Sequence, residues 1–572
     1  MRDILLVIAA VLLLRLPFLN QAVQGDDIYY LAGAQHAQLD PLHPTHAKYV
    51  FLGKMVDMRG HPHPPLDAWT LGLLLAIVGD IREVPFHAAY IGFSLIAALS
   101  MLSIARRFTD KPLIATFLFL AVPPFIVNGN SFESDIPFLA FWMLAIAGYL
   151  AGRTWVAVLG AALASLAAYQ AAALIPILFL APVERRRWTP ILTPIATFAA
   201  FQLFERFTSG DLPAAVLTGY MQTYGWQRLE AKIRNGAMLT IHLICTLVNP
   251  LAWLARRTPV SNTWFLLAWI GIFFAGALAA FFAGSARYLL PIAAPLCILA
   301  STSRFAIPAI VLQATIGIGL AIVNAQHWNG IRDFANSLPL EGVRRVFVHG
   351  EWGLRFYLEA RGAIPLETGQ RFRPGDVIVS TAYANPLPPG NRVLLREQQI
   401  DSSIPLRIIG LGSQSGFSSV DFGFFPYGVS TVPLDRLRAE TVAEFHPTLS
   451  NLVLGQSEEV NRHLITGVAA NDKWTLQSAA VLLKRPSPGP LKLKVKFYVP
   501  EAGINRTVTI TADGKPVMTI RLDHDGVYEQ TAEVTGSTAE GASIGIDTDK
   551  PLQAPGDMRL LGVNLIEIGF VP

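Results

Sequence analysis

The uneven distribution of apolar residues constrains this chain more than any other feature. Long apolar runs fill residues 4–324, and no run of that length occurs in the remainder of the 572 residues. Hydrophobic residues make up 52% of the chain and charged residues 15%, which is too apolar for a soluble protein of this size. The sequence therefore predicts a multispanning α-helical membrane protein with a soluble C-terminal part.

Basic residues at the ends of the apolar runs predict the topology. The stretch 154–182 is readable as one long helix or as two short ones. A hairpin that turns near Tyr169-Gln170 leaves the basic clusters 185–187 and 256–257 inside, so the charge rule favours it. We expect about eleven segments, with the N-terminus inside and the C-terminus outside. The other candidate spans are 4–20, 86–105, 112–128, 136–151, 190–206, 237–255, 262–283, 287–302 and 305–324.

Two loops add detail to this topology. Residues 66–78 are too few to span a membrane and predict an interfacial helix on the outer leaflet. The outer loop 207–236 is amphipathic, with Tyr220, Tyr224 and Trp226 among its aromatic residues. It is readable as an interfacial helix or as a lid over a lipid-linked substrate.

The soluble part divides into two regions. Residues 343–430 mix strand and helix patterns, which predicts a small α/β unit, and alternating strands dominate from residue 432. An Asp513-Gly514 turn predicts a hairpin, and the region as a whole predicts a β-sandwich. The expected domains are 1–325 in the membrane, 326–431 as a small periplasmic α/β domain and 432–572 as a periplasmic β-sandwich. The last region contains no catalytic constellation, which favours an accessory or binding role.

Asp26 and Asp27 follow directly on the first apolar run. Carboxylates next to the membrane usually line a polar cavity, although an acidic pair at a helix exit is also an ordinary start to a solvated loop. The predicted topology brings two further polar features to the same outer face. These are the turn 130–135, which ends at Asp135, and the turn 285–291, where Arg287 opens a span. Arg15, within the first run, either faces the same cavity or reaches toward the membrane surface.

Four motifs, in order along residues 1–325, resemble the GT-C membrane glycosyltransferases, especially the protein O-mannosyltransferase and aminoarabinose transferase group (families 39 and 83). The matches are the Asp-Asp-x-Tyr run after the first span, Pro64-Pro65-Leu66, Asp135 at the start of the fourth span, and Arg287 to Pro291 in an Arg-Tyr-Leu-Leu-Pro signature. Two positions depart from the pattern: Asp27 stands where glutamate is usual, and Tyr169-Gln170 stands where many relatives have a lysine.

The resemblance implies transfer of a sugar from a polyprenyl-phosphate carrier to an acceptor hydroxyl on the outer face. Asp26 is then expected as the general base, with Asp27 and Asp135 in support. Arg287, with Tyr288 and His63, is expected to hold the donor phosphate. Arg287 is also readable as an anchor at the end of a span.

A divalent metal is left open. Several histidines lie in the first loop, but their spacing fits no closed zinc signature. The candidate ligands are Asp27, His63 and Asp135. The histidines of that loop are His36, His43, His46, His61 and His63.

The expected activity is that of an inverting hexosyl- or mannosyltransferase-like enzyme of the bacterial inner membrane, with a glycan, lipid or protein as acceptor. The alternatives are a transporter or flippase for a lipid-linked glycan, with the acids as a proton relay, and a membrane receptor that binds glycans through its β-sandwich. No internal repeat supports a transporter, and the acids lie at the outer boundary rather than at the midplane. A net charge of +4 is too small to indicate a nucleic-acid partner. Cys245 and Cys297 lie in apolar segments and are expected to pack as small side chains.

Overall fold

The computed structural model describes the chain apart from Pro62, Tyr224, Trp226, Gln227, 255–259, Phe282, Leu411, Glu444, 554–558 and Pro572. The basic pair at 256–257 and the aromatic side chains of Tyr224 and Trp226 in the loop 207–236 therefore lie outside the described residues.

By its internal contacts the chain forms two compact units. The first unit comprises Met1–Phe51, Met55–Asp333 and Gln399–Asp435, and the second comprises Leu52–Lys54, Phe334–Gln398 and Arg436–Pro572. These units differ from the predicted domains 1–325, 326–431 and 432–572, because residues 399–435 pack with the helices of the N-terminal part.

The first unit is helical. Its helices are α1 (Arg2–Arg15), α2 (Asp27–His36), α3 (Leu66–Val78), α4 (Glu83–Phe108), α5 (Pro112–Leu120), α6 (Pro123–Asn128), α7 (Asp135–Leu150), α8 (Thr154–Ala167), α9 (Leu174–Leu180), α10 (Trp188–Ser209), α11 (Pro213–Thr223), α12 (Leu229–Cys245), α13 (Thr263–Ala280), α14 (Leu290–Ala300) and α15 (Ala306–Ser337), the end of which belongs to the second unit. A two-stranded sheet, β1 (Lys48–Phe51) with β2 (Lys54–Asp57), lies in the first loop.

Three helices among the described residues, α4, α13 and α15, are long and apolar enough to cross a membrane by length and composition. Shorter apolar helices include α3, α7, α8 and α14. The helix predicted over residues 66–78 is α3. The predicted spans 86–105, 136–151, 190–206, 262–283 and 305–324 each fall on one helix, namely α4, α7, α10, α13 and α15.

Two predicted spans differ from the structure. The span 112–128 is divided into α5 and α6, because Val122 precedes Pro123-Pro124 and leaves the helical conformation, with ψ at 119°. In the span 237–255, the helix α12 ends at Cys245 and a 3₁₀ turn follows at Pro250–Trp253. The stretch 154–182 is also divided, since Ala168 is extended between α8 and the turn that leads to α9.

Contacts with α10 show the direction of α9, the second of the two short helices. Tyr169, at the start of the link, lies against Phe198, with ring centroids 5.7 Å apart, and its hydroxyl accepts a hydrogen bond from Gln202 at 3.0 Å. Phe179, near the end of α9, lies 6.0 Å from Trp188 at the start of α10. The helix α9 therefore runs antiparallel to α10.

The described residues of the second unit form two sheets. A five-stranded mixed sheet has the order β4-β3-β5-β11-β6, and helix α16 (Trp352–Glu359) connects β3 to β4. The predicted strands at 346–348 and 377–379 and the predicted helix at 352–361 correspond to β3, β5 and α16. The strands of this sheet are β3 (Val346–His349), β4 (Ile364–Pro365), β5 (Val377–Thr381), β6 (Arg392–Ile400) and β11 (Asp435–Val442).

The second sheet has nine strands around one apolar core. Its strands are β12 (Asn451–Val453), β13 (Leu464–Val468), β14 (Trp474–Lys484), β15 (Leu491–Val499), β16 (Arg506–Ala512), β17 (Lys515–Leu522), β18 (Gly526–Val534), β19 (Gly541–Thr548) and β20 (Leu561–Val571), with a short helix α17 (Glu458–Arg462) before β13. The predicted sandwich is one continuous sheet, because the long strand β14 pairs with β20 near Trp474 and with β19 from Ser478 onward.

Four very short strands lie in residues 399–435 of the first unit. They are β7 (Leu406–Arg407), β8 (Ile409–Gly410), β9 (Ser415–Gly416) and β10 (Gly428–Val429), and they pair as β7 with β10 and β8 with β9.

Candidate functional site

Three acidic side chains from two segments surround one arginine in the first unit. Arg287 lies in a 3₁₀ turn ahead of α14, and its Nη2 donates to Oδ2 of Asp26 at 3.3 Å. Its Nη1 lies 2.8 Å from Glu133 Oε2, and its Nε lies 3.1 Å from Asp135 Oδ2. Asp26 is the residue that precedes α2, whereas Glu133 and Asp135 lie at the start of α7. The structure therefore brings together Asp26, Asp135 and Arg287, as expected from the sequence, and adds Glu133.

Exposure separates Asp26 from the other members of this cluster. The Asp26 side chain is 33% exposed, compared with 5% for Glu133, 10% for Asp135 and 14% for Arg287. Asp26 is therefore the carboxylate of this cluster that is most accessible to an incoming substrate, and the Arg287 guanidinium pairs with it.

Asp27 has a different environment from its neighbour. Its side chain is buried, and its Oδ1 accepts from the Ser131 hydroxyl and the Phe132 N–H, both at 2.7 Å. Its Oδ2 accepts from the Gln24 N–H at 3.1 Å. Burial raises the pKa of Asp27 to about 7, although these donors act in the opposite direction. Asp27 therefore ties the first loop to the turn before α7 and is not exposed to a substrate.

Glu133 closes the inner side of the cluster. Its Oε1 lies 3.4 Å from the Asp26 backbone nitrogen, which donates to it. Burial raises the pKa of Glu133 well above its usual range, and the charge of Arg287 acts against that rise. Gly25 has a positive φ of 45°, and a Cβ at that position would lie 2.9 Å from Glu133 Oε1. The approach of the first loop to Glu133 therefore requires glycine at residue 25.

Amide side chains hold the loop that presents Asp26. The Gln24 side chain donates to the Asn130 carbonyl at 3.0 Å and accepts a hydrogen bond from Asn324 of α15. The Ala22 N–H donates to Asn329 Oδ1 at 2.9 Å. The loop is thus fixed both to the turn before α7 and to α15.

His63 lies beside the cluster in a neutral form. Its Nδ1 is 2.6 Å from the Ser134 hydroxyl and 3.2 Å from the Ala167 carbonyl oxygen. Burial lowers the pKa of His63 to about 3, and that of His61 to about 3 as well. A carbonyl oxygen only accepts, so the Ala167 contact requires the proton on Nδ1 and leaves Nε2 as an acceptor. In this tautomer His63 cannot donate to a phosphate oxygen from Nε2.

Tyr288 lies next to Arg287 and packs against Phe281, with ring centroids 4.8 Å apart. The Arg287 guanidinium carbon lies 5.6 Å from the centre of the Tyr288 ring. This geometry gives the ring a supporting contact with the guanidinium group.

Asp67 is a buried acid that sequence reasoning did not assign. It lies in the first turn of α3, and its Oδ1 accepts from the Tyr90 hydroxyl at 2.6 Å. Burial raises the pKa of Asp67 well above its usual range, and the charges of Asp27 and Asp135 raise it further. Its position directly after Pro64-Pro65-Leu66 is a signal that could have identified it. For Glu133, the signal is its place two residues before Asp135.

Arg15 neither lines the acidic cluster nor reaches the membrane surface. It is buried, and it donates to the Ile126 carbonyl at 2.8 Å, the Phe125 carbonyl at 2.6 Å and the Ser94 hydroxyl at 3.0 Å. Its role is to satisfy carbonyl groups of the short helix α6.

The described residues do not support a metal centre. Within them, no group of three or more histidine, cysteine, aspartate or glutamate side chains is arranged to hold a metal ion. Of the three candidates, Asp27 is occupied by hydrogen-bond donors, and Asp135 faces Arg287. The cation that the carboxylates of Asp26, Glu133 and Asp135 surround is the guanidinium group of Arg287.

The chain is similar to solved structures of two other proteins. The chain is similar to ArnT from Cupriavidus metallidurans, in a crystal structure bound to undecaprenyl phosphate, with 12% identity and a TM-score of 0.43 over 66% of this chain and 93% of that one. It is also similar to the arabinofuranosyltransferase AftD from Mycobacteria, with 11% identity and a TM-score of 0.37 over all of this chain and 60% of that one. This chain thus spans about 60% of the length of AftD. Both are GT-C glycosyltransferases. No protein-family model matches the sequence, and no curated protein matches it.

Proposed function

We propose that this protein is a membrane glycosyltransferase that moves a hexosyl or related sugar residue from a polyprenyl-phosphate carrier to an acceptor hydroxyl. The observation that carries the proposal is the partly exposed carboxylate of Asp26, which pairs with Arg287 in an otherwise buried acidic cluster. This pairing supplies a base for an alcohol and a cation for a phosphate leaving group within one site.

In the proposed reaction Asp26 takes the proton of the acceptor hydroxyl. The acceptor oxygen then bonds to the anomeric carbon as the bond from that carbon to the phosphate oxygen breaks, with inversion. The polyprenyl phosphate leaves with the electron pair, and Arg287 compensates its developing charge through the planar donor fork. Glu133 and Asp135 hold the fork in place, and Asp27 holds the loop that presents the base.

An apolar groove next to the site supports a lipid-linked donor. The groove has a volume of about 480 Å³ and is lined by residues of α3, α8 and α10, among them Leu166, Ala200 and Phe204. Leu166 is the neighbour of Ala167, whose carbonyl contacts His63 at 3.2 Å. We place the isoprenoid chain in this groove, with its phosphate toward Arg287 and Tyr288.

We also propose the finer topology that the charge pattern predicts. About eleven segments cross or enter the bacterial inner membrane, and the acidic cluster and the C-terminal region face the periplasm. This orientation places the acceptor, whether glycan, lipid or protein, on the outer side of the membrane.

The function is tested by sugar transfer from a purified polyprenyl-phosphate sugar in detergent. Asp26→Asn should lower turnover by about 10²-fold or more, the usual contribution of a positioned base, without a change in the melting temperature. Asp40→Asn, in the same loop but paired with His43, is the matched control and should retain activity. Transfer by Asp26→Asn at the wild-type rate would remove the catalytic assignment. Wild-type protein that moves a lipid-linked sugar across vesicles but transfers none would favour the flippase.

Arg287 is tested in the same assay. Arg287→Ala should lower kcat/KM for the donor, and Arg287→Lys should recover only part of it, because a point charge replaces a planar fork. Wild-type transfer by Arg287→Ala would make this residue an anchor.

The groove gives a separate test of the carrier. Ala200→Trp should raise the KM for a long-chain donor but not for a short-chain one, because the indole fills the space of the lipid. Leu203→Trp, exposed on the same helix outside the groove, should change neither value.

A further inference from the structure

Residues 399–410 and 412–435, here termed the inserted segment, connect β6 to β11 of the mixed sheet but belong to the first unit. Their sequence contains two short apolar runs among serines and glycines. It includes the run Ile404 to Gly410, interrupted by Arg407, and the aromatic run Phe424-Phe425-Pro426-Tyr427.

One limb of the inserted segment, residues 400–406, runs along α15. A Cβ at Gly330 would lie 2.8 Å from Ile400, and a Cβ at Gly319 would lie 2.9 Å from Leu406. Between them, the Gln326 side chain donates to the Ser403 hydroxyl at 2.7 Å and accepts from the Ser402 hydroxyl at 2.8 Å. The length of α15 between the two glycines is about 16 Å at the usual helical rise. Because α15 is a candidate membrane span and is continuously apolar around Gly319, this limb reaches the apolar part of the span.

The other limb of the inserted segment, residues 417–421, holds the loop that carries Arg287. The Phe417 carbonyl accepts from the Ala286 N–H at 3.0 Å, and the Val420 N–H donates to the Ala283 carbonyl at 2.8 Å. Farther along this limb, Asp421 pairs with Arg234 of α12 at 2.6 Å. The residue before Arg287 is thus fixed by a segment that the chain reaches only after the first strands of the mixed sheet.

The outward side of the inserted segment is apolar and exposed. Phe424 is 45% exposed, Phe425 is 60% exposed, Val429 is 74% exposed and Val432 is 68% exposed. If these side chains faced water, the protein would forgo the stabilisation that comes from removing apolar surface from water, which is about 25 cal/mol for each Å². Non-helical backbone at membrane depth is tolerated where protein buries it on one side. In the inserted segment, the contacts with α12 and α15 supply that cover.

We propose that the inserted segment is a re-entrant wall of the site that lies in the membrane boundary, with Phe424, Phe425 and Val429 in contact with lipid. The partner of this surface is the bilayer itself, and the aromatic residues lie where the acyl chains meet the head groups. The region predicted as a soluble periplasmic domain thereby contributes a membrane-seated piece to the site.

The test measures depth and does not require activity, so its outcome is independent of the proposed function. A nitroxide label is attached at Phe425→Cys in a background with Cys245→Ser and Cys297→Ala, and the protein is reconstituted in phosphatidylcholine–phosphatidylglycerol vesicles. We expect the label to collide often with oxygen and rarely with a water-soluble nickel chelate. Val527→Cys, an exposed apolar position of the second unit, is the matched control and should show the reverse.

A second position guards against misfolding of the first variant. Val429→Cys should give the same oxygen-rich, nickel-poor signal as Phe425→Cys, and a melting curve for each labelled protein checks that it is folded. Access of the nickel chelate to both positions at the level of Val527→Cys would overturn the proposal.

Discussion

Asp26 and Asp27 are adjacent in the chain but face opposite environments. Asp26 is one third exposed beside Arg287, whereas Asp27 is buried among three hydrogen-bond donors. The sequence motifs predicted that Asp26, Asp135 and Arg287 would meet, because each lies at the outer end of an apolar run. The motifs could not show that Asp27 turns inward, since that depends on donors about a hundred residues away in the turn before α7.

Asp27 should make stability depend on pH. Its pKa is raised from 3.8 to about 7 in the folded protein, so its stabilising contribution is complete below about pH 4 and is lost as the pH rises through 7. Asp27→Asn cannot ionise, and it should lower the melting temperature most at low pH, with the gap to wild type narrowing between about pH 4 and pH 7. Thermal unfolding in detergent across this range measures the gap. A gap that widens with pH would mean that the ionised form is the stable one.

At the scale of elements, the break between α5 and α6 explains why the apolar helix α1 requires the polar side chain of Arg15. Apolar periodicity predicted a single span over 112–128, and Pro123-Pro124 marks the break that occurs within it. The partner of the break, Arg15 on α1, is not readable from local sequence, because the contact joins residues more than a hundred positions apart. By contrast, the hairpin of β16 and β17 is local, and Asp513 and Gly514 have the positive φ values that its tight turn requires.

Removal of Arg15 should therefore destabilise the first unit. Arg15→Met keeps the length of the side chain but leaves the carbonyls of Phe125 and Ile126 without their donor, at a cost of about 1–3 kcal/mol. Arg2→Met, exposed at the start of the same helix, should leave the melting temperature unchanged. Gly129→Ala should act like Arg15→Met, because its Cβ would overlap the Arg15 guanidinium group. Equal melting temperatures for Arg15→Met and Arg2→Met would exclude this role.

At the scale of the whole molecule, chain order and spatial grouping disagree. The sequence predicted an apolar helical part followed by α/β and all-β regions, and the helices and strands follow that order. The predicted boundaries could not anticipate that residues 399–435 return to the helical unit, since a domain boundary inferred from local composition contains no information on long-range packing.

The predicted orientation is tested by labelling with a membrane-impermeant thiol reagent. Cysteines introduced at Ser209 and Ser487, in a background without Cys245 and Cys297, should both react in intact cells with a permeabilised outer membrane. Protection of both until the inner membrane is lysed would reverse the topology. If only one of the two positions is labelled, the number of membrane-crossing segments between Ser209 and Ser487 differs from the predicted number by an odd integer.

The sharing of one arginine among three acids has a thermodynamic consequence for ligand binding. Arg287 compensates one charge of Asp26, Glu133 and Asp135, so an anion that engages the guanidinium leaves an excess of negative charge. The charge of Arg287 lowers the pKa of Glu133 against the effect of burial, so an anion on the guanidinium raises that pKa further and makes this carboxyl the natural acceptor of a compensating proton. We expect a short-chain polyprenyl phosphate to bind with net proton uptake, visible as different calorimetric enthalpies in buffers of different ionisation enthalpy. Glu133→Gln should reduce that uptake, and identical enthalpies in all buffers for the wild-type protein would show that no proton accompanies the anion.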